Sequence, residues 1–211
     1  PTAITSLQAG EVVLDLGSGG GFDVFIAARK VGPSGQVIGV DMTPEMIDKA
    51  RLNSKSFRDM TGQENIEFRL GEIEHLPVAN DSVDVVISNC VINLSPDKPQ
   101  VWREIARVLK PGGRACISDL VLLQTLPETV RNSIQALVGC IAGAVPEKEI
   151  KDMASKAGLI EYRSKRDSGY AHKMEEWSDP LYKEIAAGLP AGTKPSDYIT
   201  SLNITVKKPL H

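Results

Sequence analysis

The feature that most constrains the fold is a short, largely apolar run near the start of the chain that ends in a glycine-rich loop. Residues 12–16 have the composition of a strand buried in a parallel sheet. Residues 17–21 end this strand, and apolar residues at helical spacing follow over residues 22–30. Further strand and helix patterns alternate along the chain. The alternation predicts an α/β fold with a Rossmann-like, doubly wound, mostly parallel sheet.

The same patterns divide the rest of the chain into strands and helices without an internal repeat. The predicted later strands are residues 36–40, 65–70, 82–88, 114–121, 159–163 and 201–206. The predicted later helices are residues 43–58, 99–109, 127–141 and 146–157. We interpret residues 1–211 as a single domain, with residues 126–157 as a helical insertion on the substrate side. Residues 164–200 are a polar segment of uncertain structure before the last strand.

The helix after the second strand carries its own start signal. Thr43 is typical of an N-cap residue, and Pro44 is typical of the first helical position. The spacing that follows predicts that Met46, Ile47 and Ala50 face the core.

Composition excludes several classes of function. The 211 residues carry a formal net charge of −3, so no basic excess is available for a nucleic-acid backbone. No apolar run approaches the roughly 20 residues of a membrane helix. Cys90, Cys116 and Cys140 are too few for a secreted disulfide scaffold, and their spacing does not suggest zinc. We therefore expect a cytoplasmic protein that binds neither nucleic acid nor membrane. No signal peptide is visible, and the start at Pro1 is consistent with a missing upstream segment.

Candidate ligand-binding residues follow the ends of the first four strands, which meet at one crevice of such a sheet. The glycines of residues 17–21 let the backbone approach a ligand closely, but they match neither a Walker loop nor the dinucleotide GxGxxG pattern. Asp41 ends the second strand, where a carboxylate accepts both hydroxyls of a ribose or, alternatively, serves as a helix N-terminal acid. Residues 71–77 offer a place for an adenine. The candidate cofactor-binding residues are Asp15, Gly17, Ser18, Gly19, Gly21, Asp41, Met42, Glu72, Ile73, Glu74 and Asn89.

Five stretches resemble, in order, the class I methyltransferases that use S-adenosylmethionine. These are VLDLGSGGG, GVDMTPEMIDKA, GEIEHLPV, LKPGG and SLNITVKKP. The resemblance implies a seven-stranded sheet whose strand seven is antiparallel, and S-adenosyl-L-methionine as the cofactor. Two further stretches, SNCVINLSPDK and VGCIAGA, resemble the arsenite methyltransferases. Quinone-type and sterol-type C-methyltransferases share the cofactor motifs but not this pair of cysteine contexts.

The resemblance implies that Cys90 and Cys140 are the catalytic residues and the arsenic ligands. Trivalent arsenic is a thiophilic centre, and thiolates are the side chains that match such a soft ion. Arsenite is then expected as a thiol conjugate, with thioredoxin or glutathione as the reductant. The alternatives are that Cys90 packs against the cofactor and that Cys140 only packs a helix. Cys116, inside a predicted strand, is interpreted as an inert core thiol.

The chain also departs from the family pattern. Val24 stands where many relatives have a cysteine, and their upstream glycine-rich cysteine segment does not precede Pro1. These departures imply an incomplete set of thiols, so we expect the chain to bind the cofactor but to methylate arsenite slowly or incompletely. Two other functions therefore stay open: a small-molecule C- or O-methyltransferase of quinone or sterol type, and a cofactor-binding or arsenic-binding protein with little turnover. His75 is interpreted as a solvated loop residue rather than a general base.

Overall fold

The computed structural model describes residues 6–131, 141, 143–167 and 188–211, and every structural statement below concerns these residues. The seven strands in this part of the chain are β1 Val12–Leu16, β2 Gln36–Asp41, β3 Ile66–Leu70, β4 Val83–Asn89, β5 Leu109–Leu122, β6 Ile160–Asp167 and β7 Ile199–Lys207. The helices are α1 Phe22–Val31, α2 Pro44–Thr61, α3 Lys98–Val108, α4 Glu128–Arg131, α5 Glu147–Lys156 and α6 Pro195–Tyr198, with a short 3-10 turn at Ile92–Leu94.

The strands form one sheet in the order β3-β2-β1-β4-β5-β7-β6. The pairs β1–β2, β1–β4, β2–β3 and β4–β5 are parallel, whereas β7 is antiparallel to both β5 and β6. The chain reverses its strand order at β1, so the carboxyl ends of β1 and β4 open the crevice where such sheets bind ligands. The predicted fold class and the antiparallel strand seven are confirmed.

Both faces of the sheet are covered, and β1 shows how the alternation of side chains divides the core. Val13 packs with the buried residues of α1 and α2 on one face, including Ile47. Leu14 and Leu16 pack on the other face around Trp102 of α3. A parallel strand buried on both faces explains why its sequence is apolar without strict alternation.

Several boundaries differ from the sequence prediction. β5 begins at Leu109, which pairs with Val83 before residues 110–113 interrupt the ladder and Arg114 resumes it opposite Val85. β6 extends to Asp167, so the polar segment predicted over residues 164–200 begins inside a strand. The same segment ends in α6 and the first two residues of β7.

The inward face predicted for α2 is partly wrong. Ile47 and Ala50 are fully buried, but Met46 is 40% exposed. Thr43 is the N-cap and Pro44 opens the helix, as predicted, yet the Thr43 side chain makes no capping hydrogen bond. The position of Asp41, described below, explains how this helix end is held instead.

No helix in the described ranges is long and apolar enough to cross a lipid bilayer.

Candidate functional site

The glycine-rich loop joins β1 to α1 and is held against its neighbours by backbone contacts. Gly17 and Gly19 have φ angles of +66° and +51°, in the left-handed region that glycine adopts without a steric penalty. The Ser18 amide donates to the Val40 carbonyl of β2 at 3.0 Å. A Cβ at Gly17 would lie 2.7 Å from Cγ1 of Val91. The loop therefore touches the segment that follows β4, and only glycine fits at residue 17.

Gly21, a predicted cofactor residue, has a structural place in the same loop. It is the N-cap of α1, with a φ angle of +91°. A Cβ there would lie 2.6 Å from the ring of Phe68 and 2.8 Å from that of Phe25. Gly21 thus allows α1 to pack closely on these aromatic side chains, and it lines neither of the cavities described below.

Asp41 at the end of β2 is fixed by two backbone amides. Its Oδ2 accepts from the Gly19 amide at 2.9 Å, and its Oδ1 accepts from the Thr43 amide at 2.9 Å. A carboxylate oxygen has more than one acceptor site, so both oxygens keep capacity for a ligand hydroxyl. Asp41 links the glycine loop to the start of α2 and also faces the crevice.

The crevice contains a cavity of about 800 Å³ beside Asp41. It is lined by Gly17, Asp41, Met42, Thr43, Gly71, Glu72, Ile73, Glu74, His75, Val91, Leu94, Ser95, Pro96, Asp97 and Gln100. Met42 is 69% exposed, so it offers an apolar surface that a planar ligand group can cover. The structure thus brings together six of the predicted cofactor-binding residues in the wall of this cavity: Gly17, Asp41, Met42, Glu72, Ile73 and Glu74.

The wall of this cavity opposite Asp41 was missed by the sequence analysis. The Ser95 hydroxyl donates to Glu74, and the side-chain amide of Gln100 donates to the Glu74 carbonyl at 3.0 Å. These bonds tie the segment after β3 to the start of α3. The stretch SNCVINLSPDK contains Ser95 and was already singled out, so extending the candidate set along it would have found this wall.

A second cavity of about 300 Å³ lies at the end of β1. It is lined by Asp15, Gly17, Ser18, Phe22, Asp23 and Asn89, four of which were predicted. Burial raises the pKa of Asp15 well above its usual range, and the negative charges of Asp23 and Asp41 raise it further. The Ser18 hydroxyl is buried without a hydrogen-bond partner among the described residues. A buried carboxyl group among carboxylates and an unsatisfied hydroxyl favour a cationic, hydrogen-bonding ligand.

Cys90 stands in the chain between residues that line the two cavities. Asn89 before it lines the small cavity, and Val91 after it lines the large one. Cys90 has a φ angle of +56°, an unusual conformation for a residue other than glycine, and its amide donates to the Ser118 carbonyl at 2.8 Å. Its side chain is partly exposed. The chain thus turns sharply at Cys90, between residues that line the two cavities.

The other two cysteines differ in what the structure describes. Cys116 lies in β5 and is 7% exposed, packed in the core with α1 and α2. Burial raises the pKa of its thiol, although Arg114 opposes this. Cys140 lies outside the described residues; Ile141, the next residue, is fully buried. The inert core position predicted for Cys116 agrees with its surroundings.

Val24, where many relatives were expected to carry a thiol, points away from the crevice. Its side chain is fully buried in the core, with Val13 and Val85 of the sheet. It lines neither cavity. A cysteine at this position would be a core thiol in the fold described here.

Comparisons with known proteins agree with this architecture. Residues 7–158 match the methyltransferase domain family. The arsenite methyltransferase of Halobacterium salinarum is 46% identical over 99% of this chain and 49% of its own length. That of Aquipseudomonas alcaligenes is 41% identical over 80% of this chain and 52% of its own length. The chain thus spans about half the length of these curated relatives.

A solved structure extends the comparison to three dimensions. The crystal structure of an arsenic(III) S-adenosylmethionine methyltransferase from Chlamydomonas reinhardtii superposes with a TM-score of 0.73. The two chains are 31% identical, and the match covers 99% of this chain and 72% of the other.

Proposed function

The chain belongs to the methyltransferase domain family, and we propose that it transfers a methyl group from S-adenosylmethionine to trivalent arsenic held by Cys90 and Cys140. The observation that carries the proposal is that Cys90 stands in the chain between Asn89, which lines the small cavity, and Val91, which lines the large one. The names of the similar proteins, arsenite methyltransferases, support the choice of acceptor.

The residues of the crevice fit this cofactor. Asp41 keeps acceptor capacity on both oxygens for the two ribose hydroxyls, and the large cavity beside Met42 has room for the adenine. The small cavity, with buried Asp15 and the unsatisfied Ser18 hydroxyl, suits the cationic amino-acid end. When bound, the cofactor supplies an electrophilic methyl group on a sulfonium sulfur. The chain's own part is to hold that group beside Cys90.

Thiolates are the groups that this chain offers to the arsenic. Each protein thiol forms one As–S bond and displaces one small thiol from the arsenic conjugate, so two cysteines hold the arsenic and leave its lone pair free. The lone pair is itself the nucleophile, so the reaction needs no general base, in keeping with the interpretation of His75 as a loop residue. Alignment of two bound reactants is the main contribution, since proximity can lower a barrier by about 7–11 kcal/mol.

The proposal extends to the partners of the reaction. Arsenite arrives as a conjugate of a small thiol, which exchanges with the protein thiols. Methylation oxidises arsenic formally from the trivalent to the pentavalent state, so a thiol reductant, thioredoxin or glutathione, returns it to the trivalent state. We place this chemistry in a reducing compartment such as the cytoplasm, which keeps cysteines as thiols.

The direct test is to incubate the protein with arsenite, S-adenosylmethionine and glutathione and to measure methylated arsenicals by chromatography with elemental detection. We expect methylated arsenic to form in proportion to S-adenosylhomocysteine. Methylation of a demethylated quinone, with arsenite unreactive, would instead favour the quinone-type alternative. Arsenite binding without methylated product would favour a binding protein.

Replacing Gly19 with valine is expected to abolish cofactor binding while the protein still folds. No atom lies within 4 Å of a Cβ built at this position, so the fold leaves room for the branched side chain, and the Gly19 amide beside it donates to the Asp41 carboxylate. The φ angle of +51° adds strain of roughly 1–3 kcal/mol for a β-branched residue. Calorimetry with S-adenosylhomocysteine and circular dichroism check the two parts. A folded variant with parental affinity would contradict the assignment of the loop.

Replacing Asp15 with asparagine is expected to stabilise the ligand-free protein and weaken cofactor binding. Burial raises the pKa of Asp15, so the folded protein holds a proton that the unfolded chain releases near pH 4. As pH rises above that value, the unfolded chain gives up this proton while the folded protein keeps it, so the free energy of unfolding falls. Asparagine does not titrate and removes this loss of stability. Losing a hydrogen bond to a cation costs about 1.5–3 kcal/mol, or roughly ten- to a hundredfold in affinity.

Two measurements check this prediction. Thermal melts of the ligand-free Asp15→Asn variant should show a higher Tm than the parent at pH 7.5 and a smaller difference at pH 5. Calorimetry at pH 7.5 should show weaker S-adenosylmethionine binding. A lower Tm together with unchanged affinity would show that Asp15 supports the fold and does not face the ligand.

A further inference from the structure

A buried polar network lies beneath the mouth of the crevice, and the cofactor assignment does not use it. Its centre is Asp119 of β5, which is 3% exposed. The Asp119 carboxylate accepts from the side-chain amide of Asn93 at 2.8 Å, from the Asn93 amide at 3.3 Å and from the Leu120 amide at 2.9 Å. Asn93 also donates to the Leu120 carbonyl at 2.7 Å. These bonds attach the 3-10 turn after Cys90 to β5.

Lys98 extends this network to α3. Its ammonium group donates to the Ser95 carbonyl at 2.9 Å, and its charge faces both Asp119 and Glu74. Burial raises the pKa of Asp119 to about 6, so its carboxyl group is mainly ionised at neutral pH and accepts the donors around it. Buried charges held this way are costly to disturb, because removing one partner leaves the others unpaired.

The segment that follows Cys140 packs on the same network. A Cβ at Gly143 would overlap the carbonyl oxygen of Asn93 and would lie 3.4 Å from Nζ of Lys98, so the backbone approaches as closely as glycine permits. Two residues later, the Val145 carbonyl accepts from the Leu122 amide at 3.1 Å. The segment is therefore anchored both to Asn93 and to the end of β5.

The positions along the chain connect the network to the two thiols. Cys90 precedes Asn93 by three residues, and Cys140 precedes Gly143 by three residues. The two residues that meet at the Asp119 network, Asn93 and Gly143, therefore have the same spacing from the two cysteines. We propose that Asp119, with Asn93 and Lys98, is a positioning network for two-thiol arsenic binding, because it holds together Asn93 and Gly143, each of which follows one of the two cysteines by three residues. This inference rests on the proposed function.

The physical reason is chelation. Once one thiolate holds the arsenic, the second binds intramolecularly, and its effective concentration depends on how its segment is held. A displacement of about 1 Å can cost roughly a hundredfold in a reaction that depends on alignment. A network that joins both segments to one strand prevents such displacement.

The test compares arsenite affinity in four proteins by calorimetry: the parent, Asp119→Asn, Cys90→Ser and the double variant. Asparagine keeps the size of Asp119 but removes its charge and places a donor among the donors of Asn93 and Leu120. We expect Asp119→Asn to weaken arsenite binding about tenfold or more, toward the affinity of Cys90→Ser. The double variant should bind no more weakly than Cys90→Ser alone, because the second thiol is already lost. Affinity for S-adenosylhomocysteine should stay within about threefold of the parent.

Asp84→Asn is the matched control. Asp84 is also a sheet carboxylate held by a backbone amide and a lysine, accepting from the Val12 amide at 2.8 Å and from Nζ of Lys110 at 2.9 Å. It is the second residue of β4, at the amino end of the strand, whereas the crevice lies at the carboxyl ends of β1 and β4. Asp84→Asn therefore shows what the loss of a structural ion pair does by itself to arsenite binding. We expect this variant to bind arsenite with the affinity of the parent.

A second variant keeps the proposal testable if Asp119→Asn does not fold. Gly143→Ala leaves the Asp119 bonds in place but forces the segment after Cys140 away from Asn93, and we expect the same Cys90-dependent loss of affinity. Equal weakening of arsenite binding in the parental and Cys90→Ser backgrounds would overturn the positioning role. So would parental affinity in both Asp119→Asn and Gly143→Ala. A parent that binds no arsenite would instead overturn the proposed function itself.

Discussion

Replacing Cys140 with serine is expected to remove arsenite methylation and to leave cofactor binding unchanged, and Cys90→Ser should do the same. A serine hydroxyl stays protonated near neutral pH and is a hard donor, so it is a poor ligand for a soft centre. With one thiol left, the arsenic is held by a single bond and its lone pair is no longer aligned. We expect the rate of product formation to fall by about a hundredfold or more.

Cys116→Ser is the control for these two substitutions. Cys116 is a buried thiol of the core, and it lines neither cavity. Its replacement should change Tm slightly but leave the rate and both affinities close to the parental values. A Cys140→Ser variant that methylates arsenite at the parental rate would contradict the role of Cys140 as a ligand, and loss of activity in Cys116→Ser alone would point to general damage.

The parallel half of the fold could be predicted because its information is local. The run Val12–Leu16 is buried on both faces, so it is apolar throughout, and the glycines after it have to adopt positive φ angles. Asp41 could likewise be singled out by its place at the end of β2. The sequence pattern also predicts the strand that pairs antiparallel with β5, although it does not show which strands are neighbours.

What the sequence does not reveal are the contacts between distant segments. Asn93 and Asp119 lie 26 positions apart, and neither belongs to a motif that requires the other. Met46 follows the helical spacing of a buried residue, but α2 turns it toward solvent. By its place after the glycine loop, Val24 corresponds to a cysteine of the family. Only the packing of α1 against Val13 shows that the side chain at this position faces the core.

This last point changes what is expected of the departure at Val24. From the sequence, a cysteine at residue 24 would supply a further arsenic ligand and raise turnover. In the structure that thiol would lie in the core, so Val24→Cys should leave the methylation rate near the parental value unless α1 moves. Of the two departures from the family pattern, only the upstream cysteine segment can then account for slower turnover. That expectation stays a prediction.

Replacing Asp41 with alanine is expected to weaken S-adenosylhomocysteine binding by about two to four orders of magnitude. Two hydrogen bonds between a carboxylate and the ribose hydroxyls are worth about 1.5–3 kcal/mol each. The substitution also frees the amides of Gly19 and Thr43, so the loop and the start of α2 lose their shared anchor. Both effects act in the same direction on affinity.

Glu72→Ala separates the ribose assignment from a general loss of negative charge. Glu72 lines the same cavity but is exposed, so its contribution to binding is screened by solvent and its loss should change affinity by only a few fold. Asp41→Asn should fall between the two, because asparagine keeps one acceptor oxygen of the original pair. Calorimetry on the three variants, with Tm measured in parallel, gives the order. If Asp41→Ala bound S-adenosylhomocysteine as tightly as Glu72→Ala, Asp41 would be no more than an anchor for the glycine loop.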